Sequence, residues 1–163
     1  MNSLAVDLSV ADAAFAGAVD AGALFAESAK AAGITLNLIR EPNDGYWSNV
    51  WMNKPWGMCY WGGRPTEDWM FSTAYAAGAA WNDSFWEHER FNKLLLLARA
   101  ELDQALRREM YVEMQTIVSN EGGVVVPLFN NYVFATSDKI EHGELAGNWD
   151  LDGSKLTERW WFV

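Results

Sequence analysis

Cysteine, histidine and positive charge are all scarce in this sequence, and each shortage removes a class of function. Cys59 is the single cysteine, so an intramolecular disulfide and a multi-cysteine zinc site are excluded. The 12 Lys and Arg face 22 Asp and Glu, a formal net charge of −10. A nucleic-acid binder needs a basic face, and this composition does not supply one. No apolar run reaches the roughly 18 residues that a membrane-spanning helix needs; Leu94–Leu97 is far too short. Met1–Leu4 lacks the basic segment and long apolar run of a secretory signal. Walker-type and dinucleotide-binding glycine patterns are missing, as is the Gly-x-Ser-x-Gly elbow of a serine hydrolase.

The two histidines do not build a metal site. His88 has Ser84 and Asn92 at the helical i−4 and i+4 positions, so no ligand pair forms. It reads as a solvated helix start, and His142 reads as a surface residue in an irregular segment. Cys59 lies in an apolar run, where a thiol behaves as a small hydrophobe. No metal and no cofactor is implied.

What the chain has in excess is aromatic surface. Ten Trp, five Tyr and eight Phe occur in 163 residues. Core packing alone rarely calls for so many Trp. An indole offers a flat apolar face and one N–H donor, a combination enriched where ligands and partners are gripped.

The hydrophobic pattern predicts an α/β fold. Leu4, Val6 and Leu8 alternate as in a strand. An Ala-rich stretch from Ala13 to Ala32, with Asp12 before it and Gly33 after it, reads as a buried helix carrying Phe15, Val19, Leu24 and Phe25. Ile34, Leu36 and Leu38 alternate again. A short helix is expected over Tyr46–Met52. A strand covered on both faces is expected over Trp56–Trp61, and a helix capped by Thr66 up to Tyr75. Ser84 and Glu87 fit a capping box. Leu94, Leu95 and Ala98, then Leu106, Met110, Met114 and Ile117 behind Asp103, mark two further helices. Gly122-Gly123 stops the second. Val124–Phe129 reads as a buried strand interrupted by Pro127, and the tail from Lys139 as polar and irregular until Arg159-Trp160-Trp161-Phe162. The alternation implies a mixed sheet with flanking helices.

The segment Tyr60-Trp61-Gly62-Gly63-Arg64 falls where a strand is expected to end and a helix to begin. Ligands of α/β sheets bind outside the carboxyl ends of strands. Trp61 supplies a stacking wall, backbone N–H groups around Gly62 and the helix amino end favour negative charge, and Arg64 supplies a planar fork for a carboxylate. Alternatively, Arg64 pairs with Glu67 or Asp68 on the surface. Those two acids also raise the idea of glycoside hydrolysis, although neighbours at a helix start do not face one another; favourable interaction with the helix dipole is the simpler role.

Three stretches carry a resemblance to a known family. They are Glu27–Ile34 with Thr35–Leu38; Met58–Asp68; and Phe91–Leu95, Ala98–Asp103, Arg107–Tyr111, Met114-Gln115 and Glu121–Phe129. In order and spacing the chain resembles the carboxy-terminal lobe of dipeptide/oligopeptide-type (family 5) extracellular solute-binding proteins of ABC transporters. The resemblance implies one lobe of a type II periplasmic-binding-protein clamshell within a longer protein. Residues 1–138 would form the α/β ligand-binding lobe, and 139–163 a terminal segment returning toward the missing amino-terminal lobe. It implies a periplasmic setting, no catalysis, ABC permease subunits as partners, and a peptide or peptide-like solute as cargo. Trp61 matches the family's stacking aromatic; Tyr46, Trp47 and Trp81 belong to loops expected at the same rim. Peptide-binding members hold the ligand's amino group with an Asp at the place where this chain has Arg64. The reversed charge favours a carboxylate, an amide-rich ligand or a modified peptide. A Trp-rich carbohydrate-active enzyme or carbohydrate-binding domain is the alternative.

Overall fold

The computed structural model describes residues 4–163. The chain divides into two compact units. One comprises the stretch up to Gly62 together with Trp81–Trp86; the other comprises Gly63–Ala80 and Glu87–Val163.

In the first unit, strands β1 (Leu4–Val10) and β2 (Ile34–Arg40) pair in parallel, with Leu4 opposite Ile34 and Val10 opposite Arg40. Helix α1 (Ala18–Lys30) makes the crossover between them, as two parallel strands require. Leu8, Val10 and Leu36 are buried, with Val19, Phe25, Trp56 and Met58 packed against them. The Phe25 and Trp56 rings meet edge to face, 6.1 Å apart. A second buried group joins Ala11, Ala14, Ala18, Tyr46 and Val50, which seats the single-turn helix α2 (Tyr46–Asn49).

Helix α1 starts at Ala18, five residues later than the Ala-rich pattern suggests. Gly17 has φ +83°, outside the helical region, and the Asp12 carboxylate accepts a bond from the Val19 amide at 3.3 Å. The helix stops at Lys30, and Gly33 follows with φ +73°. Leu24, expected in the core, is exposed on α1. The expected strand Trp56–Trp61 is reduced to one parallel bridge. Ser9 pairs with Gly57, held by the Ser9 amide on the Trp56 carbonyl and the Met58 amide on the Ser9 carbonyl, both at 3.0 Å. Beyond Met58 the chain leaves the sheet.

The second unit is built on α4 (Glu89–Ala100) and α5 (Gln104–Glu121), preceded by the one-turn helix α3 (Glu67–Met70) and a π-type turn over Phe71–Tyr75. Thr66 caps α3 by accepting from the Trp69 amide, and Asp103 caps α5 by accepting from the Ala105 and Leu106 amides. The expected Ser84–Glu87 capping box does not form. His88 caps α4 instead, its Nδ1 accepting from the Phe91 amide at 3.1 Å. The buried apolar side chains are Phe71, Ala74, Phe91, Leu94, Leu95, Ala98 and Met114. Of the four apolar residues expected to line α5, only Met114 is fully buried.

No strand forms over Val124–Phe129. Val125, Val126 and Leu128 are exposed and Phe129 is 94% exposed. Pro127 removes one donor, and a strand needs a neighbour to pair with; among the described residues no strand pairs with it. Residues 139–163 carry a short antiparallel pair, β3 (Ile140–His142) with β4 (Trp160–Phe162). Asp152 is buried there and accepts from the Ala146 amide and from the Trp160 indole at 3.0 Å. The fold is therefore α/β with flanking helices. The single mixed sheet that the sequence suggests is replaced, among the described residues, by two separate two-stranded sheets.

Candidate ligand-binding site

The first unit gathers aromatic side chains at its surface. Trp47 packs edge to face against Tyr46 at 5.7 Å, Trp51 at 5.9 Å and Tyr60 at 5.8 Å. Trp61 and Trp81 lie 6.2 Å apart with their planes tilted by 52°. Trp47 is 41%, Trp81 51% and Tyr60 63% exposed. These rings are braced by neighbours and still offer faces to solvent, which limits the conformational entropy lost when something stacks on them.

Polar contacts fix the group from behind. The Trp51 indole N–H donates to Asp83 at 2.8 Å, and the Cys59 thiol lies 3.4 Å from the same carboxylate. The Trp81–Trp86 loop is closed by buried Asn82, whose amide donates to the Trp86 carbonyl at 2.8 Å while its Oδ1 accepts from the Ser84 hydroxyl at 2.9 Å. Burial first, and the Asp83 charge second, push the Cys59 thiol up to about 12. The thiolate is the nucleophilic form, so Cys59 should resist alkylation. At pH 8 the folded chain should react with iodoacetamide at least ten times more slowly than the urea-unfolded chain, followed by mass spectrometry. Equal rates would place the thiol in solvent.

The structure sorts the six residues singled out in the sequence. Trp61 and Trp81 come together, and Trp47 stands at the centre of its own aromatic set. Gly62 ends the same unit's main segment. Tyr46 touches Trp47 but is core: it is 1% exposed, and its hydroxyl donates to the Met58 carbonyl at 2.8 Å. That burial leaves it no face for a ligand. Arg64 belongs to the second unit, where its guanidinium lies over the Trp69 ring, 5.9 Å from the centroid, a cation–π arrangement. Asp68 pairs with Arg99 at 2.8 Å. Sequence reasoning named Tyr60 in the Tyr60–Arg64 segment without giving it a role, and it missed Trp51 and Asp83. The only hint was the turn-like Asn82-Asp83-Ser84 cluster beside Trp81, because bonds between residues 32 apart leave no local pattern.

Among the described residues no three His, Cys, Asp or Glu side chains converge as metal ligands. His88 is occupied as a helix cap, and His142 lies 5.2 Å from the Trp160 ring with Nδ1 on the Gly143 carbonyl. No helix among the described residues is long and apolar enough to cross a membrane.

No family model matches the chain, and no curated protein matches it. A solved structure shares the fold over three quarters of the chain, with a TM-score of 0.59 at 16% sequence identity. It is HbpA2 from Haemophilus parasuis, and the match spans 25% of that protein's length.

Proposed function

We propose that the chain is part of the carboxy-terminal lobe of a solute-binding protein that captures a peptide or peptide-like solute for an ABC importer in the periplasm. The exposed, braced aromatic group of the first unit carries this reading. Trp47, Tyr60, Trp61 and Trp81 offer stacking surfaces; Trp47 lies in the segment after β2, Tyr60 and Trp61 just after the Ser9–Gly57 bridge, the side on which α/β folds take ligands, and Trp81 joins them through Trp61. The sequence resemblance and the shared fold with HbpA2 support it. The rest of such a protein would close over the solute and exclude water, strengthening polar contacts. Asp68, one of the two acids considered for hydrolysis, is held by Arg99 and Tyr111. The exposed Trp faces equally suit a sugar ring, which keeps a carbohydrate-binding domain as the second reading.

Tryptophan fluorescence of the chain, titrated with short peptides and with oligosaccharides, separates the two. Saturable change with peptides only is expected. The single lobe supplies part of the contacts, so affinity should be weak. Trp61→Ala and Trp81→Ala should each lower it by about tenfold, roughly 1.4 kcal/mol, the scale of an aromatic hot spot. A response to oligosaccharides alone would sink the peptide reading, and an unchanged affinity in both variants would remove this surface from the site.

A further inference from the structure

A concave surface lies within the second unit, with an open volume of about 580 Å³. The start of α3, the end of α4 and the first two turns of α5 enclose it. Its floor is a fixed network. Arg99 Nε and Nη2 reach Asp68 at 2.8 and 2.9 Å, Arg99 also bonds the Ser72 hydroxyl, and the Tyr111 hydroxyl donates to Asp68 at 2.9 Å. The Asp68 and Arg99 charges therefore cancel within the floor, and both Asp68 oxygens are occupied. What the walls add is basic: Arg107 and Arg108, with the Gln104 amide beside them, against the single carboxylate of Glu67. The Arg107 guanidinium is steadied by the Glu101 carbonyl at 3.4 Å, and Arg108 is exposed. Three of the chain's 12 cationic side chains meet here in a protein of net charge −10. Local positive excess in an acidic protein concentrates anions at that spot.

We propose that this groove binds a small oxyanion, a carboxylate or phosphate group, held by the Arg107 and Arg108 guanidinium forks and the Gln104 amide. Guanidinium presents paired N–H donors that match two oxygens on one centre. The groove is open to water, so its ion pairs are screened and the affinity should be on the order of millimolar. The proposal concerns the second unit alone and does not depend on what the aromatic group binds.

The test is an amide and arginine-Nε NMR titration of the full chain with sodium phosphate and with sodium succinate, each at constant ionic strength balanced by chloride. Saturable shifts centred on Gln104, Arg107, Arg108 and Tyr111 are expected with at least one anion, and which one responds identifies the oxyanion. R107Q/R108Q should abolish saturation. R90Q, whose arginine pairs with Glu113 away from the groove lining, should retain it. Should the double variant unfold, R108Q alone, which alters an exposed side chain, should weaken binding at least threefold. Linear shifts with both anions, saturation that persists in R107Q/R108Q, or an unaltered affinity in R108Q would overturn the proposal.

Discussion

Replacing Phe91 with alanine is expected to lower the stability of the second unit by about 3–5 kcal/mol. Phe91 is 0% exposed, and its ring meets Phe71 edge to face at 5.2 Å. Leu94, Leu95 and Ala98 continue its face of α4, and Met114 of α5 is buried as fully. Truncation removes the transfer energy of the ring and leaves a cavity that backbone-bound helices fill poorly. It also forfeits the ring–ring geometry, worth about 0.5–1.5 kcal/mol beyond burial. Whole domains are stable by only about 5–15 kcal/mol, so the variant should sit near its unfolding threshold. Phe91→Leu keeps most of the volume and should cost less than half as much. Urea unfolding followed by circular dichroism measures both. A loss below about 1 kcal/mol for Phe91→Ala, well under the usual range for a buried Phe, would show that this ring is not packed as described.

The second large effect is expected at Asp68. The Arg99 guanidinium holds its carboxyl below the ordinary value of 3.8, Tyr111 and Ser72 add to this, and burial opposes it. Asp68→Asn leaves Arg99 and the Tyr111 hydroxyl poorly matched. Hydrogen bonds to charged groups are worth roughly 1.5–3 kcal/mol. Arg99 is about half exposed, so solvent recovers part of that, and the lower end of the range is expected. The sign with pH follows from the depressed value. The carboxylate's contribution is complete above 3.8 and disappears as pH falls through the lower folded value. Wild type and Asp68→Asn should therefore differ at neutral pH and converge in acid. Tyr111 supplies an independent reading: burial first and Asp68 second raise it to about 12. Its ultraviolet titration should move back toward 10 in the variant. A stability difference that stays constant down to about pH 2 would show that Asp68 is not the charged partner.

The local grammar of the chain was legible where the deciding interactions are themselves local. Alternation placed β1 and β2, because side-chain direction in a strand has period two. Thr66 and Asp103 announced their helices, because a cap bonds amides two or three residues ahead. Gly17 misled the reading of α1: a positive φ inside an Ala-rich stretch is allowed to glycine, and the apolar count around it does not register it. Val124–Phe129 and Trp56–Trp61 share another cause of error. β-Branched and aromatic runs predict strands only when an edge is available to pair with, and pairing is a property of the fold.

The candidate site divides the same way. Trp abundance and the Trp61–Arg64 segment point to binding from residue identity alone. The sequence could not show that Tyr46 is buried under Trp47, or that Asp83 holds Trp51 and Cys59. It could not show that Arg99 and Tyr111 converge on Asp68 from 31 and 43 residues away.

By itself, then, the sequence determined the element types over most of the chain, the acidic character that argues against nucleic acid, and the aromatic excess. Each of these is set by residue identity or by spacing within one or two helical turns. Only the tertiary structure decided which rings face solvent, which acid is neutralised, and where three arginines meet. Those outcomes depend on side chains that are distant in sequence, whose burial and pairing are fixed together when the chain folds.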